Sequence, residues 1–406
     1  MTVLILLSYG RKAYSPQGAS PENWFDFRHT PLAKSNSSHS TPQLNKSEQT
    51  QKVIFLIFAS DNWAGAHPTV VASLSTAASA YHAPYGASDV DERAAAALSE
   101  LFERDVAVFF VATGTAANSL ALASVARPAS VMFCHSEAHV IHHEGGAVEL
   151  QTGGGKLVPV ASAPGAHGKI DPDSLRRAMA LFPDDDVHVG EKTALSLTQA
   201  TEAGTVYSLD EISALSAIAR EAGLKTHMDG ARFSNAVAAL GCTPAEMTWK
   251  AGVDILSLGG TKNGCWCAEA VIFFNPEDAR AMPRLRKRGA NLFSKSAFVA
   301  AQFEAWLKDG LWIELARHAN AMARKLTEAA QMSAQTRIAW PTQGNQIFLI
   351  MTDDKAEALR QAGARFYDWE TPRGMEGQLA ADEKIRRFIP SFATREEDVA
   401  AIGALL

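Results

Sequence analysis

The sequence predicts an α/β protein with a mostly parallel seven-stranded sheet in a large domain and a smaller α/β domain at the C-terminus. Three observations lead there. From Val53 onward, short β-rich runs alternate with Ala-rich segments of helical length. After Phe298 that alternation changes character. A chain of 406 residues, 47% hydrophobic and 20% charged, also has enough apolar material for more than one core.

Residues 1–52 are rich in Ser, Asn, Gln, Thr and Pro and show no periodicity beyond Val3 to Leu7, so they read as a disordered extension. The Val3 to Leu7 patch is too short for the core of a secretory signal. In the large domain, residues 53–298, strands are predicted at 107–112, 130–134, 156–160, 193–198, 225–228, 254–258 and 270–274. Helices are expected between them, including 91–103, 116–126, 172–180 and 209–222. Ser208 and Glu211 form a capping-box pattern at the start of the last of these. Strands separated by helices call for crossover connections and hence a mostly parallel sheet. The small domain, residues 299–406, begins with a long helix expected to run through Ala329. A strand, helix and strand follow at 346–350, 354–362 and 385–389.

Charge and composition exclude several function classes. A formal net charge of −6 gives no general attraction to nucleic acid or an anionic membrane, which leaves a small molecule as the expected partner. No run approaches the length of about 18 apolar residues that crosses a bilayer, so a soluble, cytoplasmic protein is expected. Four cysteines, Cys134, Cys242, Cys265 and Cys267, are too few for a disulfide framework, and Cys265-Trp266-Cys267 lacks a second pair for zinc.

Three short segments carry chemistry. Thr113-Gly114-Thr115 lies between a strand and a helix, where backbone amides gather at the positive helix end and can cradle an anion. By itself this is a common turn sequence. Asp229, in His227-Met228-Asp229-Gly230-Ala231-Arg232, stands at the C-terminal end of a strand, where open α/β sheets bind ligands. Lys262 follows the next strand in Gly259-Gly260-Thr261-Lys262-Asn263-Gly264. Burial disfavours an ammonium and promotes Schiff-base chemistry, and a carboxylate can keep a pyridine nitrogen protonated. Taken singly, Asp229 reads as a turn residue and Lys262 as a solvated lysine; together with the cradle they read as a cofactor site.

These residues, in this order, resemble the low-specificity L-threonine aldolases of the β-eliminating lyase group, which are fold-type-I, aspartate aminotransferase-like, pyridoxal-phosphate enzymes. The resemblance starts at Ala59-Ser60-Asp61-Asn62 and continues through Tyr85-Gly86, Thr113-Gly114-Thr115-Ala116-Ala117-Asn118, Glu137-Ala138-His139, Glu144-Gly145-Gly146, Asp229-Gly230-Ala231-Arg232 and Lys262-Asn263-Gly264. It implies that Gly114 and Thr115 bind the phosphate of pyridoxal 5'-phosphate, that Lys262 forms the internal aldimine, and that Asp229 pairs with the pyridine nitrogen. His139 would stack on the ring. Ser60, Tyr85, Arg232 and Arg387 would contact the substrate, with Arg232 also at the cofactor and Arg386 competing with Arg387 for its role. Lys287, Arg288 and Lys295 match the stretch that reaches a neighbouring subunit's phosphate site, which implies a homodimer or homotetramer with shared active sites. Read alone, 284–288 is a solvated charge run.

The implied reaction is retro-aldol cleavage of L-threonine, L-allo-threonine or a bulkier β-hydroxy-amino acid such as phenylserine, giving glycine and an aldehyde. Many relatives carry a histidine after the Leu-Ser-Leu strand, whereas residues 198–204 here hold none. His139, a water held by it, or Glu202 then remain as bases. A different pyridoxal-phosphate reaction, β-elimination or transamination, stays open, because one site stabilises the same carbanion for all three. A non-catalytic nucleotide-binding protein is disfavoured by the lack of a Gly-x-Gly-x-x-Gly turn after the first strand. His135, His139, His142 and His143 lack a His-Glu-x-x-His arrangement, so no metal site is expected. Gly153-Gly154-Gly155-Lys156 lacks the Ser or Thr of a phosphate loop and reads as a loop or hairpin.

Overall fold

Thirteen strands are arranged in three sheets in the computed structural model, which describes residues 55–372, 375 and 377–406. The extension expected over residues 1–52 lies outside the described residues. In chain order the strands are β1 (Leu56–Ile57), β2 (Ala107–Val111), β3 (Ser130–His135), β4 (Lys156–Val160), β5 (Glu191–Thr198), β6 (Lys225–Gly230), β7 (Ile255–Gly259), β8 (Glu269–Phe273), β9 (Arg337–Ile338), β10 (Ile347–Thr352), β11 (Ala364–Arg365), β12 (Tyr367–Trp369) and β13 (Glu383–Phe388).

The central sheet has seven strands in the order β2-β8-β7-β6-β5-β3-β4. The strands from β7 to β4 pair in parallel, and β8 runs antiparallel to both β7 and β2. One strand therefore opposes six. Runs such as Ala194, Leu195 and Leu197 are fully buried because helices cover both faces of a parallel sheet. β4 contains Pro159, which cannot donate to a ladder, and it lies at the sheet edge, where no second neighbour requires that donor. The helix Leu209–Glu221 starts at Ser208 with the expected capping box closed in both directions with Glu211.

This topology gathers one set of chain segments at one end of the sheet. Thr113–Thr115 follow β2, 199–205 follow β5, Asp229 closes β6 and Lys262 follows β7, all at the strands' C-terminal ends. Because β8 runs the other way, its first residue, Glu269, enters from that same end.

The helix expected to continue from Phe298 through Ala329 is two helices, Ala297–Leu307 and Leu311–Met332. The break falls at Asp309 (φ 54°) and Gly310 (φ 75°), and left-handed backbone at two successive residues cannot belong to an α-helix. A second sheet, in the order β12-β13-β10-β9, follows. It lies wholly beyond residue 298, as the central sheet lies wholly before it. The short β1 departs from this division by pairing in parallel with β11, and residues 53–406 form one compact unit.

Candidate active site

The centre of the site is a chain of buried hydrogen bonds. Asp229 is 3% exposed. Its Oδ1 accepts from the Ala231 amide at 3.1 Å and its Oδ2 from Asn118 Nδ2 at 3.0 Å. The same Asn118 nitrogen donates to Glu144 Oε1 at 2.8 Å, and that oxygen also meets His139 Nδ1 at 3.0 Å. His139 is thereby oriented from below by a fully buried carboxylate while its own side chain stays 36% exposed. The Glu144 hydrogen bond lifts the His139 pKa against the effect of burial, and the charges of Glu202, Asp229 and Glu144 add to the lift.

Lys262 sits half-buried in the 3-10 turn Thr261–Asn263 directly after β7. A Cβ on Gly259 would come within 2.6 Å of the Ala231 carbonyl oxygen, so only glycine lets the end of β7 lie against the turn that follows Asp229. That close approach brings the acid's strand end and the lysine's strand end together. On the other side, burial pushes the Glu269 carboxyl up to about 7, opposed by the Thr261 hydrogen bond and the Lys262 charge.

The helix Gly114–Val125 is capped by Thr113, whose hydroxyl accepts from the Ala116 amide at 3.1 Å. Among the described residues the Gly114 and Thr115 amides have no protein acceptor, which leaves two donors at a positive helix end. Asn118 lies one helical turn beyond Gly114, so the same helix carries both the anion cradle and the group that grips Asp229.

The arginines divide into committed and uncommitted cations. Arg232 is buried and binds Asp61 bidentately, through Nε at 2.7 Å and a terminal nitrogen at 3.0 Å. Burial works against ionisation of Asp61. The Arg232 and Lys262 charges, with hydrogen bonds from Arg232 and Asn345, outweigh it and hold the carboxyl below its usual range. Ser60 caps the short turn that carries Asp61.

Arg386 and Arg387 point to opposite faces of β13. Arg386 pairs across the sheet with Leu349 and forms ion pairs with Asp353 and Asp368, the latter at 2.7 Å. Arg387 pairs with Phe348 and Tyr367 on the other face, where its neighbours in charge are Arg232, Glu202 and Asp61. Its buried Nε has no hydrogen-bond partner among the described residues. Burial and the repulsion of Arg232 push its pKa down to about 10, against the attraction of Glu202 and Asp61.

Tyr85 and Lys287 lie together. Both are exposed, and the Lys287 ammonium stands 5.4 Å from the Tyr85 ring centroid. Among the described residues no hydrogen bond, ion pair or ring contact joins either to Asp229, His139, Arg232 or Lys262. His135 is buried, meets the Ser162 hydroxyl at 2.7 Å, and is driven by burial to a pKa of about 4. His142 meets the Ser136 carbonyl oxygen at 2.6 Å. The Gly153–Gly155 segment is the loop between the helix Ala147–Thr152 and β4.

Residue-type reasoning assigned no role to Asn118, Glu144 or Asp61, although they stand in the segments that carry the family resemblance. A detectable signal existed for Asn118: it is a polar residue on the buried side of an otherwise Ala- and Leu-rich helix. The turn after β5 is also informative. Thr201 and Thr205 close it through amide, carbonyl and hydroxyl contacts, and Gly204 (φ 70°) lets it lie against Gln346. Glu202 sits in this turn, electrostatically coupled to His139, His143, Arg232 and Arg387.

The residues present fit pyridoxal phosphate. An acid lies at one strand end, an amine at the next and free amides at a helix N-terminus, while Asn118 Oδ1 and Glu144 Oε2 remain buried without a protein partner. Fold and site define the fold-type-I class of pyridoxal-phosphate-dependent enzymes. Within that class the chain belongs to the beta-eliminating lyase family, whose model matches residues 58–354. It is 41% identical to the low specificity L-threonine aldolase of a Pseudomonas species over 337 residues, covering 80% of this chain and 96% of that one. With the enzyme of the same description from Pseudomonas aeruginosa it shares 42% identity, over 81% of this chain and 94% of the other. Among solved structures, Leishmania major threonine aldolase superposes with a TM-score of 0.78 at 28% identity, covering 86% of this chain and 98% of its own.

Proposed function

We propose that this chain is a pyridoxal-phosphate-dependent carbon-carbon lyase. It cleaves the Cα–Cβ bond of L-threonine, L-allo-threonine and related β-hydroxy-amino acids, phenylserine among them, to glycine and an aldehyde. The observation that carries the reading is the match to Pseudomonas low specificity L-threonine aldolase along 96% of that protein's length. The geometry supports it with a group for each task.

Bound pyridoxal phosphate supplies an electron sink for the bond broken at Cα. Lys262 Nζ would be its attachment point, and the Gly114 and Thr115 amides would receive its phosphate. Asp229, fixed by Asn118 and the Ala231 amide, would pair with the ring nitrogen and keep it protonated. Arg387 binds the substrate carboxylate, with Ser60 and Arg232 beside it. A guanidinium that holds the carboxylate in two places also fixes which bond at Cα is aligned for cleavage. His139 would cover the ring. With Nδ1 donating to Glu144, its Nε2 is the free acceptor, and it takes the proton from the β-hydroxyl. The O–H electron pair becomes the aldehyde C=O bond as the Cα–Cβ pair passes to Cα, and the proton that His139 took returns to Cα to give glycine.

We further place Tyr85 and Lys287 at a subunit boundary, where they complete the site of a neighbouring copy in a cytoplasmic homodimer or homotetramer. Product analysis tests the whole reading. Purified protein supplied with cofactor and L-threonine should sediment as a dimer or tetramer and release glycine and acetaldehyde in equal amounts. Ammonia with a keto acid would reassign the reaction to elimination.

The His139 assignment has its own consequence for pH. Activity needs neutral His139 and rises with pH through its pKa, which the Glu144 hydrogen bond raises. Glu144→Gln keeps an acceptor for Nδ1 but removes the negative charge. The acidic limb of the kcat/KM profile should therefore move to lower pH, with the plateau kept within about tenfold. A limb that stays in place would take His139 out of that role.

A further inference from the structure

Arg387 differs from Arg232 and Arg386 in what holds it. Arg232 is locked to Asp61, and Arg386 to Asp353 and Asp368. Arg387 has no ion pair among the described residues; its guanidinium instead lies over two aromatic rings, 4.6 Å from the Trp369 centroid and 5.7 Å from that of Tyr367. The sheet produces this arrangement. Tyr367 is directly opposite Arg387 in the β12–β13 ladder, and Trp369, two residues on, points to the same face. The Trp369 ring is itself fixed, because Phe348 packs edge-on against it at 5.3 Å and Trp340 packs on Phe348 at 4.6 Å. Trp340 in turn donates from its indole nitrogen to the Ala203 carbonyl at 2.7 Å, next to Glu202. A line of rings thus runs from the turn after β5 to the guanidinium.

We infer that Trp369, supported by Tyr367, is a positioning residue that holds the Arg387 guanidinium ready for the substrate carboxylate. This rests on the proposed role of Arg387. An aromatic face attracts the cation and fixes its plane without occupying its hydrogen-bond donors, whereas a carboxylate partner would compete with the substrate. Arg387 is consequently held in place with its charge uncompensated at short range. Substrate binding supplies the missing anion.

The test uses the holoenzyme, with glycine and glycinamide as probes that differ only in the carboxylate. Trp369→Leu should weaken glycine binding about tenfold by isothermal titration and leave glycinamide within about twofold. KM for L-threonine should rise by a similar factor, with kcat within about twofold. Trp369→Phe keeps a ring face and should stay within about threefold of wild type. Tyr367→Leu, at an exposed edge, gives a second variant should Trp369→Leu misfold, with a loss of about threefold for glycine alone. Equal losses for glycine and glycinamide, or no loss for either, would overturn the inference. Titration requires no turnover, so a protein that binds glycine through Arg387 and Trp369 yet releases no aldehyde would refute the proposed reaction while sustaining the positioning role.

Discussion

Lys262→Ala is expected to abolish aldehyde release and covalent attachment of pyridoxal phosphate together, lowering turnover by at least about a thousandfold. Lys262 is the amine at the meeting point of the β6 and β7 ends, beside the Asp229 turn that Gly259 allows to approach. The variant should still fold. Among the described residues the Lys262 side chain makes no hydrogen bond, and its charge acts on Asp61, already paired with Arg232, and on Glu269. Visible absorbance after gel filtration with cofactor, thermal melting and an aldehyde assay separate the possibilities. A folded variant that retains both the colour and the activity would show that another amine does the work.

Asp229→Asn should leave the cofactor attached and slow turnover by about a hundred- to a thousandfold, the range seen when a preorganised charge partner is removed. The substitution preserves side-chain size and leaves one acceptor oxygen where Asp229 offers two, so either the Ala231 amide or the Asn118 amide loses its acceptor and meets the new NH2 group. What it removes is the negative charge proposed to stand opposite the ring nitrogen, and with it the force that would keep that nitrogen protonated. Because Asp229 lies in a buried setting shielded from water, no bulk ion replaces that charge. Single-turnover rates with L-threonine, measured on protein loaded to wild-type occupancy, check this. A variant within threefold of wild type would place the ring elsewhere.

The sequence made the frame of the molecule legible where local signals were strong. Alternating runs located all seven central strands to within two residues, and Ser208 with Glu211 marked a helix start that the structure places at the next residue. Asp309-Gly310 was a readable turn signal inside what otherwise continued as helix, and apolar periodicity on both sides masked it. β1, β9, β11 and β12 are two or three residues long and exist through pairing with distant segments, so no local pattern announces them. In the site, the acid, the lysine and the anion cradle were visible because each sits at a strand end. Asn118, Glu144 and Asp61 act through other side chains. Their importance arises from contacts across 26, 111 and 171 residues of chain, which spacing does not reveal. Arg386 and Arg387 are neighbours in sequence, and only the register of β13 separates them by face.

The pairing of β1 with β11 has a bearing on how the chain is made. Leu56 and Ile57 leave the ribosome ahead of every strand of the central sheet, yet their partners, Ala364 and Arg365, emerge only after all of them. Phe58 likewise accepts a backbone hydrogen bond from Ile389 and packs against Phe388. The central sheet can close while translation continues, but the β1–β11 pair and the contacts of Phe58 with β13 and the residue after it must wait for segments that flank that sheet in sequence. Closure of so long a loop is slow. Because β13 carries Arg387, maturation of the proposed carboxylate-binding side belongs to this last event, and activity should appear after the bulk of the helical signal during refolding.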